Sequence, residues 1–489
     1  MSSERGFQQV ESVQAASIGA LTGPPISFEL GGVEARYGPD VPVNWQALTL
    51  QVRVDLERKA IRGTATYVGV VQATRLRRAR FDADGIEILR AFDGDGRALD
   101  CEWDGKELHL VLSEELRRGD PLRVAIDFET VQPREGFYFV EPDADHPGRV
   151  RHAWSQGQDE DSKFWFPCHD SPNHKLTLKL LADVPEDMVA LSNGMLRDIY
   201  RSSEPGRRIF DWAMERPLPT YLITLTVGPF VQVLQQEEPF EVSCWVLPGR
   251  EEEAVRSFGR TGEMIAVYER LIGVPYPFEK YAQVAVGEFV FGGMENASMT
   301  TQTDRTLHDV RAALDFSSEP LVSHELAHQW FGDLLTCRSW PHAWLNEGFA
   351  TYWELLWREH SDGADEFDYA RLQYQRTYMN EDRQRYRRTL ISRHWDEPLD
   401  LFDAHLYEKG AAILHMLRCQ LGDDTFFAAV RRYVADHADG LVETSDLRRT
   451  FEGYSGVDHG RFFDQWVEVG KGYPELKVQA RWHGDERQL

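Results

Sequence analysis

The segment His324-Glu325-Leu326-Ala327-His328 restricts the possible folds of this chain more than any other part of the sequence. Histidines four positions apart lie on one face of an α-helix, so both imidazoles can bind the same metal ion. Glu325 lies beside that face, where its carboxylate can act as general base for a water molecule activated by the metal. The segment therefore predicts a helix that carries part of a catalytic metal site.

A third metal ligand is predicted 19 residues after His328, at Glu347. The segment Asn346–His360 has the apolar pattern of a second helix, which would place Glu347 in its first turn. Two neutral imidazoles and one carboxylate leave one position of a tetrahedral zinc ion open, as a catalytic site requires. We therefore expect one Zn²⁺ per chain, held by His324, His328 and Glu347. Glu354, two helical turns after Glu347, is either a hydrogen-bond partner of a ligand histidine or a solvated carboxylate.

The residues around the two histidines predict where their helix begins and ends. Ser318 and Pro320 are typical of a helix start, and Gly332 is typical of a helix end. An apolar stripe on the opposite side of the helix is formed by Val322, Leu326 and Trp330. This stripe would anchor the helix in a core and leave the histidines facing a cavity.

Composition and charge exclude several classes of partner. The chain has 489 residues and a formal net charge of −26, which argues against binding to nucleic acid or to an anionic membrane surface. Five scattered cysteines without a Cys-x-x-Cys pair favour reduced thiols in a cytoplasmic protein. The N-terminal residues are polar, and no apolar run approaches the length of a membrane span. We therefore expect neither a signal peptide nor a membrane protein.

The chain is too long for one hydrophobic core and divides into four predicted segments. Residues 1–40 are rich in Gly, Ser, Pro and Gln and are expected to form a loose arm. Residues 41–235 are predicted to be a β-rich domain, because short alternating runs recur there: Leu48–Val54, Leu108–Leu112, Leu122–Ile126 and Tyr221–Val227. Residues 236–470 predict an α+β catalytic domain, and residues 471–489 the start of a further, truncated segment.

Within the α+β domain, the pattern predicts a helix over Glu251–Ile272 and a strand over Gln283–Val290. Helices are expected to dominate from Ser317 to Trp466. The two metal-binding helices therefore lie in the helical part of this domain.

Further motifs accompany the metal-binding pattern: Phe166-Pro167-Cys168, Gly292-Gly293-Met294-Glu295-Asn296, Trp344–Ala350, Tyr407-Glu408-Lys409-Gly410, Phe463–Trp466 and Gly472-Tyr473-Pro474. With them, the chain resembles the gluzincin zinc aminopeptidases of the aminopeptidase N and leukotriene-hydrolase type over most of its length. The resemblance implies a multidomain protein, with an N-terminal all-β saddle-like domain followed by a thermolysin-like α+β zinc catalytic domain. It also implies hydrolysis of the N-terminal residue from peptides, with a zinc-bound water as nucleophile.

The resemblance assigns roles to residues outside the metal site. Glu295 would bind the free α-ammonium group of a peptide, a task that suits a carboxylate. Gly292 and Gly293, with Met294, would let the substrate backbone approach an exposed strand edge. Tyr407 would donate its phenol hydrogen to the oxyanion of the tetrahedral intermediate.

The sequence departs from the family pattern at two places. Many relatives carry a second carboxylate in the β domain for amine binding, but the matching stretch here contains Gln156 and Gln158. A glutamine also occurs there in the leukotriene-hydrolase branch, so aminopeptidase activity is still expected. The chain also stops at Leu489, as a further strand begins, where relatives continue into additional domains. Phe402 either lines the pocket for the first side chain or packs in the core.

Three alternatives to an aminopeptidase stay open from the sequence. An endopeptidase of the thermolysin kind shares the zinc ligands but does not need an ammonium anchor at Glu295. A non-catalytic scaffold could keep the fold, although here the ligands, the base and Tyr407 are all present. An epoxide hydrolase activity has only the two glutamines to support it. We favour peptides with a free N-terminus as substrates; the sequence gives neither the preferred first residue nor the oligomeric state.

Overall fold

A computed structural model describes residues 26–28 and 32–479 of the chain. Most of the predicted arm, namely residues 1–25 and 29–31, lies outside the described residues. The same holds for residues 480–489 of the predicted C-terminal segment.

Strands form most of the chain before residue 247. Numbered in chain order, the described strands are β1 Ile26–Ser27, β2 Val43–Asp55, β3 Ala60–Val71, β4 Arg75–Asp82, β5 Glu87–Asp93, β6 Ala98–Trp103, β7 Glu107–Arg117, β8 Pro121–Val131, β9 Phe137–Val140, β10 His152–Ser155, β11 Leu176–Pro185, β12 Val189–Ser192, β13 Met195–Arg201, β14 Arg207–Leu218, β15 Leu225–Gly228, β16 Val231–Gln236, β17 Glu241–Val246, β18 Lys280–Val286, β19 Gly293–Met294, β20 Met299–Thr303, β21 Thr336–Cys337, β22 Tyr386–Arg387 and β23 Leu441–Val442.

The N-terminal strands build two sheets. One has ten strands in the order β13-β14-β11-β2-β3-β8-β5-β6-β7-β4, and the other has four in the order β12-β15-β10-β9. Alternating burial explains the large sheet: Leu48, Leu50, Val52 and Val54 of β2 are all buried, while the residues between them face outward or lie half-buried. The predicted strands at 48–54, 108–112 and 122–126 are confirmed within β2, β7 and β8.

The predicted strand Tyr221–Val227 is wrong in its first half. Thr220–Leu222 form a 3₁₀ turn, and strand β15 begins only at Leu225. Asn193 explains the break, because its side chain donates to the carbonyl of Leu222 at 2.9 Å and accepts from the amide of Thr224 at 2.8 Å. These bonds replace the ladder partners that a strand would need.

A third sheet, of five strands in the order β16-β17-β18-β20-β19, begins the second half of the molecule. Strand β16 (Val231–Gln236) is antiparallel to β17 in this sheet, so the predicted domain limit at residue 235 falls inside a strand of the second domain. We propose that the boundary lies at Gly228-Pro229, where β15 of the four-stranded sheet ends.

Helices dominate the remainder, as expected. The described α-helices are α1 Glu251–Phe258, α2 Thr261–Ile272, α3 Glu319–Ala327, α4 Trp344–Ser361, α5 Ala364–Gln384, α6 Gly410–Leu421, α7 Asp423–His437, α8 Thr444–Ser455 and α9 Gly460–Phe463. Short 3₁₀ turns lie at Ser162–Phe164, Thr220–Leu222, Asp304–Thr306, Ala312–Leu314, Trp340–His342 and Pro398–Leu401, and π-helical turns at His405–Lys409 and Asp464–Glu468.

Two predicted elements of this half differ in their limits. The single helix expected over Glu251–Ile272 is two helices, α1 and α2, which are separated at Gly259 and Arg260. The strand expected over Gln283–Val290 is β18, Lys280–Val286. The predicted class, a β-rich N-terminal domain followed by an α+β domain, is confirmed. Among the described residues, none of the helices has both the length and the apolar character of a membrane span.

The described part of the predicted arm is attached to the second domain. Strand β1 pairs in parallel with β22, and the ring of Phe28 lies 5.1 Å from that of Tyr386. The amide of Arg36 donates to the carbonyl of Arg393 at 2.7 Å. These main-chain hydrogen bonds explain why this part of the arm is not loose. At the other end, residues 471–479 contain no strand, and Leu476 and Val478 there are more than 80% exposed.

Candidate active site

Helix α3 (Glu319–Ala327) positions the first two predicted ligands. His324 lies in its last turn, and His328 follows directly after the helix ends, four residues earlier than the predicted end at Gly332. After the helix, the chain continues in tight turns, in which the amide of Phe331 donates to the carbonyl of Ala327. The turns end at Gly332, whose φ is 139°. The apolar stripe is confirmed, since all three of its side chains are fully buried: Val322, Leu326 and Trp330.

The three predicted ligand side chains converge. The Nε2 atoms of His324 and His328 are 3.1 Å apart, and Oε2 of Glu347 lies 3.1 Å from Nε2 of His328 and 3.4 Å from Nε2 of His324. Glu347 lies in the first turn of α4 (Trp344–Ser361), as expected. Ligand atoms about 2.0–2.1 Å from a tetrahedral zinc ion are separated by about 3.3 Å. The residues therefore fit a zinc ion in both donor chemistry and spacing.

Each ligand histidine has a partner for its other ring nitrogen. Nδ1 of His328 lies 2.9 Å from the carbonyl of Phe331, so it donates there and leaves Nε2 free to bind a metal. Nδ1 of His324 lies 3.7 Å from Oε2 of Glu354, and Glu354 also accepts from the hydroxyl of Tyr374. Of the two possibilities for Glu354, the structure places it beside the ligand histidine, with its side chain only 11% exposed.

The electrostatics of the cluster favour a cation. Burial lowers the pKa of His328, but the charges of Glu347 and Glu295 outweigh burial and raise this pKa to about 9. Burial opposes ionisation of Glu347, yet the two histidines hold its pKa at about 2. The carboxylates therefore favour a positive charge among these side chains, and a divalent metal would supply it while both imidazoles are neutral.

Glu325, the predicted general base, lies against the short strand β19. It is only 4% exposed, and burial raises the pKa of its carboxyl group to about 8. A Cβ atom at Gly293 would overlap with this carboxylate, so only glycine lets the strand lie so close. Strand β19 pairs with β20 and ends the five-stranded sheet, so its other edge faces the site without a partner among the described strands.

The predicted amine-binding residues also lie together. Nε2 of Gln158 donates to Oε1 of Glu295 at 3.1 Å, and Nε2 of Gln156 lies 3.2 Å from the sulfur of Met294. Carboxylate oxygens of Glu295 and Glu325 and a ring nitrogen of His328 lie within 4.8 Å of one another. Burial raises the pKa of Glu295 to about 7. The β-rich domain therefore contributes both glutamines to a site whose other residues come from the second domain.

Tyr407 reaches the metal cluster from the π-helical turn His405–Lys409. Its ring is stacked on that of His324, with the ring centroids 6.0 Å apart. Phe402 is 5% exposed and packs edge-on against Trp340, with centroids 5.9 Å apart, which favours core packing over a pocket wall. Gly292, beside β19, would place a Cβ atom 3.1 Å from a methyl group of Leu321 in α3.

Two glycines set the distance between the helix of the third ligand and the helix that follows Tyr407. Gly348 of α4 meets Gly410 of α6 so closely that a Cβ on either residue would lie 2.9 Å from the Cα of the other. Side chains of any other type would separate the two backbones. The contact lies one residue from Glu347 and three residues from Tyr407.

Two positioning contacts were not predicted from the sequence. Tyr374, on α5, donates to Glu354, but nothing in that polar helix marks one tyrosine above the others. Gln329, directly after His328, accepts from the amide of Ser298 at 2.8 Å and donates to the carbonyl of Glu295 at 3.3 Å. Its position beside the metal-binding motif was the available signal. Through these two bonds, Gln329 ties the helix of the histidines to the loop of Glu295.

Comparison with known protein families gives two matches that follow each other along the chain. Residues 41–222 match the peptidase M1 N-terminal domain, and residues 256–466 match the peptidase family M1 domain. Together the two matches cover most of the chain and leave unmatched the segment in which β16 and β17 lie.

Curated relatives carry aminopeptidase names. Aminopeptidase 2 of Candida albicans is 30% identical over 80% of this chain, and aminopeptidase M1-C of Oryza sativa is 28% identical over 89%. Aminopeptidase M1 of Arabidopsis thaliana is 28% identical over 71% of the chain. These matches cover only 43%, 50% and 40% of the respective relatives, so the chain spans about half their length or less.

One solved structure is similar over nearly the whole chain. It is an M1 zinc metallopeptidase mutant from Deinococcus radiodurans, crystallised with a Tyr-Ser-Ala substrate. The TM-score is 0.74 at 24% identity, and the match covers 92% of this chain and 98% of the other. This similarity establishes the fold. With both family domains in order and the ligand residues converging as described, the chain belongs to peptidase family M1.

Proposed function

We propose that this protein is a zinc-dependent aminopeptidase that removes the N-terminal residue from peptides. The observation that carries the proposal is the position of Glu295, whose buried carboxylate lies within 4.8 Å of both Glu325 and His328. A carboxylate so close to the metal ligands can hold an α-ammonium group while the first peptide bond lies over the site. The aminopeptidase names of the relatives support this reading.

His324, His328 and Glu347 would hold the zinc ion. When bound, zinc polarises a substrate carbonyl and makes water a better nucleophile at neutral pH. The carbonyl of Phe331 fixes the orientation of His328. Glu354, 3.7 Å from Nδ1 of His324, would attract that ring as a charged neighbour.

Glu325 would move the proton. Its carboxylate is buried beside the ligand histidines, and burial raises its affinity for a proton toward that of a general base at neutral pH. It takes a proton from the attacking water and delivers it to the nitrogen of the departing amine. Strand β19, packed against it, offers main-chain groups that align the peptide.

Tyr407 would donate a hydrogen bond to the oxyanion. Burial and the nearby carboxylates of Glu347 and Glu295 raise the pKa of its phenol well above the usual value. The hydroxyl therefore keeps its proton and acts as a donor. A donor fixed before the reaction stabilises the transition state without reorganisation.

Glu295 and Gln158 would bind the substrate amine. Gln158 donates to Glu295 and so orients its carboxylate, leaving Glu295 as the charged partner of the ammonium group. We also propose peptides with a free N-terminus as substrates and a cytoplasmic location, which the five free cysteines support.

The test compares free and blocked substrates on one zinc-analysed sample. A panel of fluorogenic aminoacyl amides should be cleaved, N-acetylated versions should be poor substrates, and chelation should abolish activity until zinc is restored. Equal cleavage of free and acetylated peptides would favour an endopeptidase instead.

Glu295→Ala sharpens this test. It should lower kcat/KM on free-amine substrates by roughly 30-fold or more, because truncating one partner of a buried charge pair costs about 2–5 kcal/mol. Zinc content should not change, and the preference for free over acetylated substrates should largely disappear. Glu288→Gln is a control, because this glutamate lies in the segment before β19, whereas Glu295 follows β19, and it pairs with Arg149. A Glu295→Ala enzyme that still prefers free amines would remove Glu295 from amine binding.

A further inference from the structure

A buried ion pair lies at the start of the turn that carries Tyr407. The guanidinium of Arg388 binds the carboxylate of Asp403 through two hydrogen bonds, Nε–Oδ2 at 2.8 Å and Nη2–Oδ1 at 2.5 Å. Both side chains are only 2% exposed. The remaining donors of Arg388 bind three carbonyls, those of Thr389, Leu390 and Leu401, at 2.8–3.0 Å. Such a two-bond pair fixes the orientation as well as the position of the carboxylate.

Asp403 in turn holds the backbone that leads to Tyr407. Its Oδ1 atom accepts from the amides of His405 and Leu406, each at 3.0 Å. Its carbonyl accepts from the amides of Leu406 at 2.9 Å and Tyr407 at 3.2 Å. These bonds satisfy the free amides at the start of the π-helical turn, as a capping residue does at a helix start.

Other charged and polar groups also bind this turn and Asp403. Oε2 of Glu381 accepts from the amide of Ala404 at 2.7 Å, and the hydroxyl of Tyr386 donates to Oδ2 of Asp403 at 3.0 Å. The ring of His405 is fully buried, with Nδ1 3.3 Å from Oδ2 of Asp403. The turn is therefore held by carboxylates from α5 and from the loop before it.

A metal site is the other reading of this cluster, since ligand atoms of Glu381, Asp403 and His405 lie within 4.8 Å of one another. The bonds already made argue against it. The carboxylate oxygens of Asp403 accept from Arg388, from two amides and from Tyr386, and the guanidinium charge would repel a cation. We therefore interpret the cluster as a structural support for the turn that carries Tyr407.

We propose that Arg388 and Asp403 are positioning residues that hold the hydroxyl of Tyr407 over the metal site. The proposal rests on the proposed function, in which Tyr407 binds the oxyanion. A π-helical turn carries one more residue than an α-helical turn, so losing its fixed start changes the direction of every side chain in it. Misplacing a donor by about 1 Å can cost on the order of 100-fold in rate.

The test uses Arg388→Lys, which keeps the charge but not the two-bond geometry, and Asp403→Asn, which keeps the shape. Each should lower kcat at least tenfold on an aminoacyl amide, with KM changed less than threefold and one zinc per chain retained. In a Tyr407→Phe background, the same changes should lower kcat less than twofold, because no hydroxyl is left to position.

Asp183 offers a matched control in the β-rich domain. This buried carboxylate lies in β11 of the ten-stranded sheet, where it binds Arg207, Nε to Oδ1 at 2.8 Å, and Arg53 at 2.9 Å. Asp183→Asn should lower the thermal midpoint while leaving kcat unchanged. An equal loss of kcat in Asp183→Asn and Asp403→Asn would overturn the proposal, as would an unchanged kcat in both Arg388→Lys and Asp403→Asn.

A readout without turnover separates this proposal from the proposed function. A fluorotyrosine placed at position 407 should give one sharp fluorine resonance in the parent protein and a shifted or broadened one in Arg388→Lys. Asp183→Asn should leave that resonance unchanged. An unchanged resonance in Arg388→Lys would overturn the positioning role. A parent without aminopeptidase activity would overturn the proposed function, while the resonance would still decide the positioning role.

Discussion

The two sides of the candidate site are built on different principles. On one side, His324 lies in the last turn of a helix, His328 follows directly after it, and Glu347 lies in the first turn of the next helix. On the other side, Tyr407 depends on a π-helical turn that is held by Asp403 and Arg388. The first arrangement follows from local chain geometry, whereas the second exists only once distant residues have met.

The two sides also differ in what stabilises them. The helix of the histidines is anchored by three fully buried apolar side chains, Val322, Leu326 and Trp330. The turn of Tyr407 is anchored by buried charges, which gain from mutual contact but lose their hydration. Removing one partner from such a pair leaves an unpaired buried charge, whereas trimming an apolar side chain leaves a cavity, so we expect the two sides to respond differently to mutation and to pH.

The largest effect is expected on the metal side. His324→Ala and Glu347→Ala should each lose zinc and fall to background activity, because two ligands cannot hold a catalytic metal. Metal analysis by mass spectrometry beside kcat checks this. Glu354→Gln serves as the comparison and should keep zinc with an affinity about 10–100-fold lower. Full zinc occupancy in the Glu347→Ala protein would contradict the ligand assignment.

Glu325→Gln should be nearly as damaging while leaving the metal in place. An amide cannot accept a proton, and general-base catalysis is worth roughly 10²–10⁴-fold. Zinc content and substrate KM should therefore stay close to the parent values while kcat collapses. Near-normal kcat in this variant would remove Glu325 from the mechanism.

Tyr407→Phe tests the other side of the site. We expect kcat to fall by about 10²–10³-fold, as for removal of an oxyanion donor, with KM and zinc content retained. Tyr454→Phe, at a half-exposed tyrosine of α8, should have no effect. A Tyr407→Phe enzyme that loses affinity rather than kcat would indicate a ground-state contact.

The smallest effect concerns pH and again separates the two sides. Burial lowers the pKa of His405, but Asp403, Asp382 and Glu381 outweigh it and raise this pKa to about 9, even though Arg388 is close by. The protonated ring therefore adds stability that is fully present below about pH 6.5 and is lost as pH rises through about 9. The loss is at most about 3 kcal/mol.

Urea unfolding between pH 6 and 10 checks this expectation. His405→Gln should flatten the decline in the free energy of unfolding over that range, because glutamine does not titrate. A parent protein whose stability rises above pH 7 would show that His405 is neutral in the folded state.

The sequence was sufficient for the parts of the site that follow from periodicity. Histidine spacing, the apolar stripe and the first-turn position of Glu347 could be read directly, and each lies in the structure where those patterns put it. The strands of the large sheet could also be predicted, from their alternating apolar pattern.

Contacts between segments that are distant in the sequence could not be predicted in this way. Asp403 is one residue from Phe402, for which the sequence left pocket lining and core packing open, and nothing in the sequence marked Asp403 itself. Only the fold shows that Arg388 binds Asp403. The strand predicted over Tyr221–Val227 was wrong in its first half for the same reason. Asn193, which is 31 residues before Thr224, binds the backbone there and decides where the strand begins.

At the contact between Gly348 and Gly410, no side chain separates the helix of Glu347 from the helix that follows Tyr407. A single methyl group at either position would enter the closest approach of α4 and α6, so the gap between the third ligand and the phenol could be widened in steps of one carbon atom. If the proposed substrate carbonyl lies between Glu347 and Tyr407, we expect substitutions at these glycines to change the width available to it without altering any proposed catalytic group.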